Sequence, residues 1–508
     1  NKPKFLSPEE AVRLIPDRAT VATGGFVGSG HPESLTAALE QRFLTEAAPR
    51  DLTIVYAAGQ GDGALRGLNH LGHKGLVRRV IGGHWNLAPR LGALAAQGEI
   101  EAYNFPQGVL SKLFREIAAG NPGMLSKIGL GSFVDPRHGG GRINPITTED
   151  LVRLIEIEGH QMLLYKSFPI HVALVRGTSS DSHGNISMEH EPLIGEILPM
   201  AQSAKRHGGI VIAQVERTVP DHSRNPKDIR LPGIFVDAVV VAPPHLHPQT
   251  FDRQFDPDFV RQGPLDSIDL GVLEPSPRRW IAARCTNELR DGDIVNLGIG
   301  IAEGVARIAW ERQLLDRVIL TVEAGVIGGV PAGALSFGSA SLPMAIIDQP
   351  SMFDFYDGGG LDIAFLSMAE CDRHGNVNVS RYGGRIPGSG GFINIAQTAK
   401  RLVFVGTFTA NGLDARFTNG QLHIRHEGHS RKFVRDVEQI TFSADQATRD
   451  AKPVLYVTER AVFALRNGSL HLQEIAPGID LRRDVLDLMD FTPTIADPLP
   501  TMSPSTFT

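Results

Sequence analysis

Between Arg317 and Gly333 the chain reads RVILTVEAGVIGGVPAG, and one residue in it is equipped for covalent chemistry. The apolar run Val318–Val322 reads as a buried strand that delivers Glu323 into a glycine-rich turn. Gly325, Gly328, Gly329 and Gly333 carry no Cβ, so backbone amides and a bulky ligand can come close to that acid. A glutamate so placed is either a turn residue held by backbone N–H groups or a nucleophile. With a reference pKa of about 4.3 it attacks in its ordinary ionised state and needs no histidine to remove a proton. A thioester suits such a nucleophile, because thiolate is a good leaving group and the product is an acyl-glutamyl anhydride. The tetrahedral intermediate then requires oxyanion donors, best supplied by glycine-rich backbone and one amide side chain.

Other chemistries find less support. GGFVGSGHP (Gly24–Pro32) and GIGIAEG (Gly298–Gly304) lack the G-x-G-x-x-G spacing of a dinucleotide site, and no convincing ribose-binding acid follows either. The sequence contains neither G-x-x-x-x-G-K-[ST] nor G-x-S-x-G, which leaves phosphate-loop and serine-hydrolase readings unsupported. His70, His73 and His84 form one histidine group, and His245 and His247 another. Without H-E-x-x-H or carboxylates nearby in sequence, both read as surface or packing histidines, and no metal is expected.

The elements that must position Glu323 are written twice. AQSAKR (Ala201–Arg206) recurs as AQTAKR (Ala396–Arg401), and each runs into an apolar strand. DSHGNIS (Asp181–Ser187) recurs as DRHGNVN (Asp372–Asn378), 20 and 24 residues upstream of those repeats. RATVATGGFVGSG (Arg18–Gly30) parallels GDIVNLGIGIAEG (Gly292–Gly304), and DLTIVYAAG (Asp51–Gly59) aligns without a gap to RVILTVEAG (Arg317–Gly325). Four matches in the same order mean two homologous α/β domains. Strands alternating with helices predict mainly parallel open sheets, with ligands outside the carboxyl ends of the strands. The prolines of LEPSPRR (Leu273–Arg279) mark the boundary, dividing the chain into residues 1–274 and 275–508. The first copy is larger: Gly24 to Asp181 covers 157 positions and Gly298 to Asp372 only 74, an insertion of about 83. In the gapless alignment Ala57 stands opposite Glu323. A structural turn residue has reason to persist in both copies, whereas a residue serving one site needs to appear once.

Composition narrows the class. At 508 residues, with 42% hydrophobic and 21% charged residues, the chain has the make-up of a soluble multidomain protein. A net charge of −6 gives no footprint for nucleic acid, and no apolar run approaches the ~18 residues that span a bilayer. Cys285 and Cys371 alone exclude a disulfide framework and a cysteine metal site. SPEEAVRLI predicts a helix capped at Ser7, with no signal-peptide core, so the expected location is the cytoplasm. The Pro/Ser/Thr-rich segment after Met489 is expected to be poorly ordered.

These residues resemble the family I coenzyme A transferases, and within them the propionate/acetate type. GGFVGSGHP looks like the family's amino-terminal signature, and TVEAGVIGGVPAG occupies the place of its glutamate motif. ECDRHGNVNVSRYG, GSGGFINIAQTAKR and GTFTA read like the second domain of the propionate enzymes, and the resemblance runs from about Ala11 to about Met489. It implies a CoA-transferase fold of two open α/β domains and a ping-pong transfer of CoA between short-chain carboxylic acids. Glu323 would carry the glutamyl-CoA thioester. Gln107, in NFPQGVL, matches the glutamine that supports the oxyanion in succinyl-CoA:3-ketoacid transferases, although it is also placed to cap the helix that follows. Gly391 matches the glycine whose backbone N–H is the second donor. Gly24, Gly25 and Gly30 would shape the acyl pocket, and Gly388, Gly390 and Gly406 the CoA side. Ala324 and Phe392 depart from the ketoacid enzymes and favour a simple short-chain acid. The resemblance further implies a homo-oligomer, dimer or tetramer, with no tightly bound cofactor and with coenzyme A as substrate and transient covalent adduct. An acyl-CoA hydrolase on the same scaffold and a non-catalytic acyl-CoA-binding protein are the rival readings.

Overall fold

A computed structural model describes residues 2–508. Its first sheet has eight strands: β1 (Lys4–Phe5), β2 (Thr20–Thr23), β3 (Leu52–Tyr56), β4 (Val77–Gly82), β5 (Glu101–Asn104), β6 (Val172–Arg176), β7 (Ile210–Val215) and β8 (Ala238–Val241). All pair in parallel, in the order β1-β8-β7-β6-β2-β3-β4-β5. β2, β3 and β6 are buried at every position, as strands covered on both faces must be, which is why they are largely apolar with no in-out alternation.

The second sheet repeats the central part. β9 (Ile294–Leu297), β10 (Ile319–Val322), β11 (Ile363–Ser367), β12 (Arg401–Val405) and β13 (Val454–Val457) are parallel and lie in the order β10-β9-β11-β12-β13. This matches β3-β2-β6-β7-β8 strand for strand. Antiparallel strands then extend both edges. The two HGN turns agree atom for atom. Asp181 Oδ1 accepts from the N–H groups of His183 and Asn185, and Asp372 Oδ1 from those of His374 and Asn376. They are Asx turns that brace the fold. The extra residues of the first copy supply β4, β5, helix α1 (Gln107–Ala119) and a small antiparallel sheet whose strands span 123–126, 152–157 and 160–166.

Ser7 caps the first helix through a capping box with Glu10, and Ser276 caps the helix Pro277–Cys285 just after the proline-rich junction. The segment after Met489 departs from expectation. Thr494 and Ile495 pair with His471 and Leu472, and Phe507 stacks on Phe417 at 4.6 Å while packing against Trp280. Its apolar residues, Met502 and Phe507, outweigh its polar composition by joining the core of the second domain.

The two copies meet along the carboxyl ends of their sheets. Helix α2 (Ile197–Arg206) packs on α1, which in turn packs on α3 (Gln349–Asp357) and α4 (Phe392–Thr398) of the second domain. Lys112 Nζ bonds Asp357 Oδ2 at 2.6 Å across this contact, and Arg115 reaches Asp348 and Asp354. One apolar cluster draws on both domains: Phe26, Val27 and Ala58 join Val322, Ala324 and Phe337.

Candidate active site

Glu323 is the first residue beyond β10, and the parallel register of β9 and β10 sets Asn296 beside Thr321, two residues before it. Asn296 Nδ2 donates to Glu323 Oε2 at 3.3 Å and is itself within 3.4 Å of the Tyr356 hydroxyl, which bonds Thr321 Oγ1 at 2.7 Å. Only 8% of Glu323 is exposed. Burial pushes its carboxyl above the usual range, and the Asn296 hydrogen bond opposes that rise. A carboxylate made more basic in this way is a stronger nucleophile whenever it is ionised. Gly325, at φ +114°, lets the chain turn back under the acid, for a Cβ there would lie 2.0 Å from the Ile347 carbonyl oxygen.

Loop 387–391 of the second domain is laced into the first. The N–H groups of Trp85 and Asn86 donate to the Pro387 carbonyl, Gly390 N–H to Gly83 O at 2.7 Å, and Gln107 N–H to Gly390 O at 3.0 Å. Asn104 adds a side-chain acceptor for the Ser389 N–H at 2.9 Å. Gly388 (φ +80°) and Gly390 (φ +52°) take left-handed conformations that permit this path. Gly391 thereby rests against the acid: a Cβ on it would stand 3.5 Å from Glu323 Oε1. Its N–H has no acceptor among the described residues and opens the N-terminus of α4.

Gln107 is the first residue of α1, but its side chain does not cap that helix. The capping role is thus corrected: Pro106 occupies the cap position, and Gln107 Nε2 donates to Gln349 Oε1 at 3.3 Å. Gln349 Nε2 donates in turn to Glu196 Oε2 at 3.0 Å. Burial, then the charge of Asp348, pushes Glu196 up to about 8.

Glu323, Gln107, Gly388, Gly390 and Gly391 all line one inter-domain cavity of about 840 Å³. That volume suits a large ligand. Phe26, Val27, Leu87 and Phe337 give it an apolar part, with the Phe26 and Phe337 rings 5.6 Å apart across the domain junction. Elsewhere it is lined by Lys432, whose Nζ would lie 3.0 Å from a Cβ on Gly406. Three strand spacings, roughly 14 Å, separate the strand of Gly406 from that of Glu323. Gly24, Gly25 and Gly30 stand behind the wall rather than in it. Gly24 packs on Ile197 and Met200 of α2. Gly25 (φ +131°) leaves no room for a Cβ beside His31, and Gly30 (φ +68°) abuts Leu193. They hold the loop that presents Phe26 and Val27.

Asn296, His84, Gln349 and Phe337 were not legible as site residues from motifs. Asn296 had one signal: a polar residue inside an apolar strand, opposite Ala22 in the duplicated segment. Of the histidines, His70 is held by Glu33 Oε1 at 2.9 Å and by Glu40, and His73 by Glu40 at 2.6 Å. These carboxylates arrive from a helix thirty or more residues away, and both ring nitrogens of His70 are occupied. His247 bonds Glu191 and Gln214. Cys285 and Cys371 are buried free thiols, outside the cavity lining, and burial pushes both upward.

Comparison with known proteins places this arrangement. Residues 5–242 match the family model described as Coenzyme A transferase. Acetate CoA-transferase YdiF of Escherichia coli K12 is 43% identical over 99% of this chain and 94% of its own length. The chain is a coenzyme A transferase. It belongs to that family over its whole length and is an acyl-CoA:carboxylate CoA-transferase. Caffeate CoA-transferase of Acetobacterium woodii is 44% identical over 99% of this chain and 97% of its own. The crystal structure of the acyl-CoA transferase from E. coli O157:H7, in a thioester complex with CoA, superposes with a TM-score of 0.94. It has 42% identity and covers 100% of this chain and 96% of that one. The two-domain α/β fold is that of these enzymes.

Proposed function

We propose that this CoA-transferase moves CoA between short-chain carboxylic acids of the acetate and propionate type, through a glutamyl-CoA thioester on Glu323. The observation that carries this reading is the setting of Glu323: buried, bonded by Asn296 alone among the described side chains, and with Oε1 3.5 Å from a Cβ position on Gly391. Glu323 attacks the donor thioester carbonyl, the C–S bond breaks, and CoA thiolate leaves a mixed anhydride. The thiolate then attacks the glutamyl carbonyl, which frees the donor carboxylate and leaves glutamyl-CoA. The acceptor carboxylate reverses both steps. Gln107 Nε2, which has a second N–H beyond the one given to Gln349, and the Gly391 N–H would receive the tetrahedral oxygen. The aromatic pair Phe26 and Phe337 bounds the apolar part of the cavity and favours a short acyl group. Gly406 and Lys432 lie on the side assigned to the CoA moiety, whose distant contacts supply orientation. The junction at Leu273–Arg279 is taken as the domain boundary, because every strand of the first sheet precedes it and every strand of the second follows.

The test is direct. Incubation with propionyl-CoA and no acceptor should add one CoA to the intact protein by mass spectrometry, with peptide mapping on the Glu323 segment and release by hydroxylamine. The acyl-CoA hydrolase and acyl-CoA-binding readings predict no such adduct that transfers to acetate. No adduct, or one on Cys285 or Cys371, would overturn the assignment.

A further inference from the structure

We propose that His84 receives the free carboxylic acid of each half-reaction, as an uncharged hydrogen-bond donor beside Glu323. This rests on Glu323 as nucleophile and names the group that holds its partner. His84 belongs to the GGHW turn after β4, and the next two residues are fastened by their N–H groups to the Pro387 carbonyl, at 2.7 and 3.1 Å. The Nδ1 side of the ring abuts Gly59, where a Cβ would stand 2.5 Å from Nδ1. Nδ1 is buried and has no partner among the described residues, and His84 lines the cavity. Cδ2, covalently next to Nε2, is 3.6 Å from the Cβ position of Gly390, and Gln107 Oε1 is 3.7 Å from that same point. The neighbouring Gly391 touches Glu323 in the same sense. One imidazole edge, one amide and the nucleophile therefore converge on two consecutive glycines.

The protonation state follows from the surroundings. Burial pushes His84 down to about 4, so the ring is neutral at physiological pH. Its single proton belongs on Nε2, where a ligand can accept it, since a proton on Nδ1 would be a buried donor without a partner.

The chemistry requires such a donor. In each half-reaction a carboxylate oxygen attacks the glutamyl-CoA carbonyl, the C–S bond breaks, and thiolate and mixed anhydride form; the reverse releases the other acid. The attacking group must stay nucleophilic, and a cation in contact would quench it. A neutral N–H orients the anion and leaves most of its basicity intact. Three cations line the cavity, Arg385, Arg431 and Lys432, and Lys432 sits by Gly406, roughly 14 Å from the strand of Glu323.

The experiment separates this role from packing. The Glu323 adduct is formed with propionyl-CoA, freed of small molecules, and discharged by acetate or by hydroxylamine, an uncharged nucleophile, in wild type, His84→Phe and His84→Gln. Expected for His84→Phe is a ~10–100-fold slower discharge by acetate, the loss of one hydrogen bond to an anion. Hydroxylamine should act within about threefold of wild type. His84→Gln, which keeps an N–H donor, should recover acetate discharge to within about fivefold. If His84→Phe fails to fold, His84→Asn, too short to reach the acid, carries the same comparison. Unchanged acetate discharge, or equal slowing by both nucleophiles, overturns the role of His84 while leaving Glu323 intact. A wild-type protein that forms no adduct overturns the Glu323 reading instead, and this one with it.

Discussion

Replacing Asn296 with aspartate would test how Glu323 is tuned, because it exchanges a hydrogen-bond donor for a second carboxylate at almost constant shape. In the wild type Asn296 Nδ2 lies 3.3 Å from Glu323 Oε2 and opposes the rise that burial imposes on that carboxyl. Losing a hydrogen bond to a charged group costs about 1.5–3 kcal/mol. The new charge adds repulsion of about 4 kcal/mol at 4 Å with an effective dielectric of 20, before screening. One pKa unit is about 1.4 kcal/mol, so the two effects together reach at most about four to five units, and with the repulsion roughly halved by screening the pair should retain a proton to a pH higher by about three units. Two carboxyls this close titrate as a pair, so the apparent values belong to both. A protonated Glu323 cannot attack. The acidic limb of the rate of CoA exchange from propionyl-CoA to acetate should therefore move upward by about two to three pH units. Activity at pH 7 should fall by at least about tenfold and recover toward pH 9. Asn296→Ala, which removes the donor without adding charge, should move the limb in the same direction by a smaller amount. If the acidic limb of Asn296→Asp coincides with that of wild type, Glu323 is not the ionising group and the argument fails.

Glu323→Gln should abolish exchange by on the order of 10⁴-fold or more while the protein still binds CoA, and a variant with a tenth of normal activity would sink the covalent mechanism. Gln107→Ala should lower kcat by ~10²–10³. Its melting temperature should reflect no more than about 1–3 kcal/mol for the unpaired Gln349 carbonyl; a normal kcat refutes the oxyanion role. Burial disfavours a charged His70, but Glu33 and Glu40 outweigh it and raise the ring above its ordinary 6.5. The stability this gives is complete below about 6.5 and is lost as pH climbs through the raised folded value. The melting temperature should accordingly drop between pH 6.5 and 9, and His70→Asn should flatten that drop; parallel curves for the two proteins would refute it.

The parallel sheets and their duplication were readable because buried strands announce themselves as apolar runs and because four segments recur in order. Glu323 stood out for its turn and for Ala57 opposite. What stayed hidden depends on contacts between distant segments. Gln107 meets Gln349 across 242 positions, and no local pattern reports that a helix-leading glutamine will face another domain rather than cap its own helix. His70 and His73 looked isolated because Glu33 and Glu40 lie far away in sequence. The tail after Met489 has a polar composition, but Phe491, Ile495, Leu499, Met502 and Phe507 dock it on the second domain, a match of shapes that composition does not report.

The duplication also explains how a symmetric scaffold came to have an asymmetric site. Each domain offers a glutamine at the first turn of a helix, Gln107 on α1 in the inserted part of the first and Gln349 on α3 in the second, and the two side chains meet between the domains. The neighbours decide their fates. Glu196 accepts the Gln349 amide and turns its carbonyl toward Gln107, which leaves Gln107 with an N–H to spare for the cavity. The strand ends diverge in the same way. Glu323 and its donor Asn296 stand in the second copy where Ala57 and Ala22 stand in the first. The first copy instead contributes the wall, through Phe26 and Val27, and the edge, through Gln107 and His84. With the proposed nucleophile Glu323 and the Gly391 N–H on one domain and Gln107 and His84 on the other, the proposed mechanism depends on the junction. That junction is held by backbone bonds from Trp85, Asn86, Gly390 and Gln107, and by Lys112 and Arg115 on Asp357 and Asp348. On that reading neither domain alone carries a complete site, and exchange should require both.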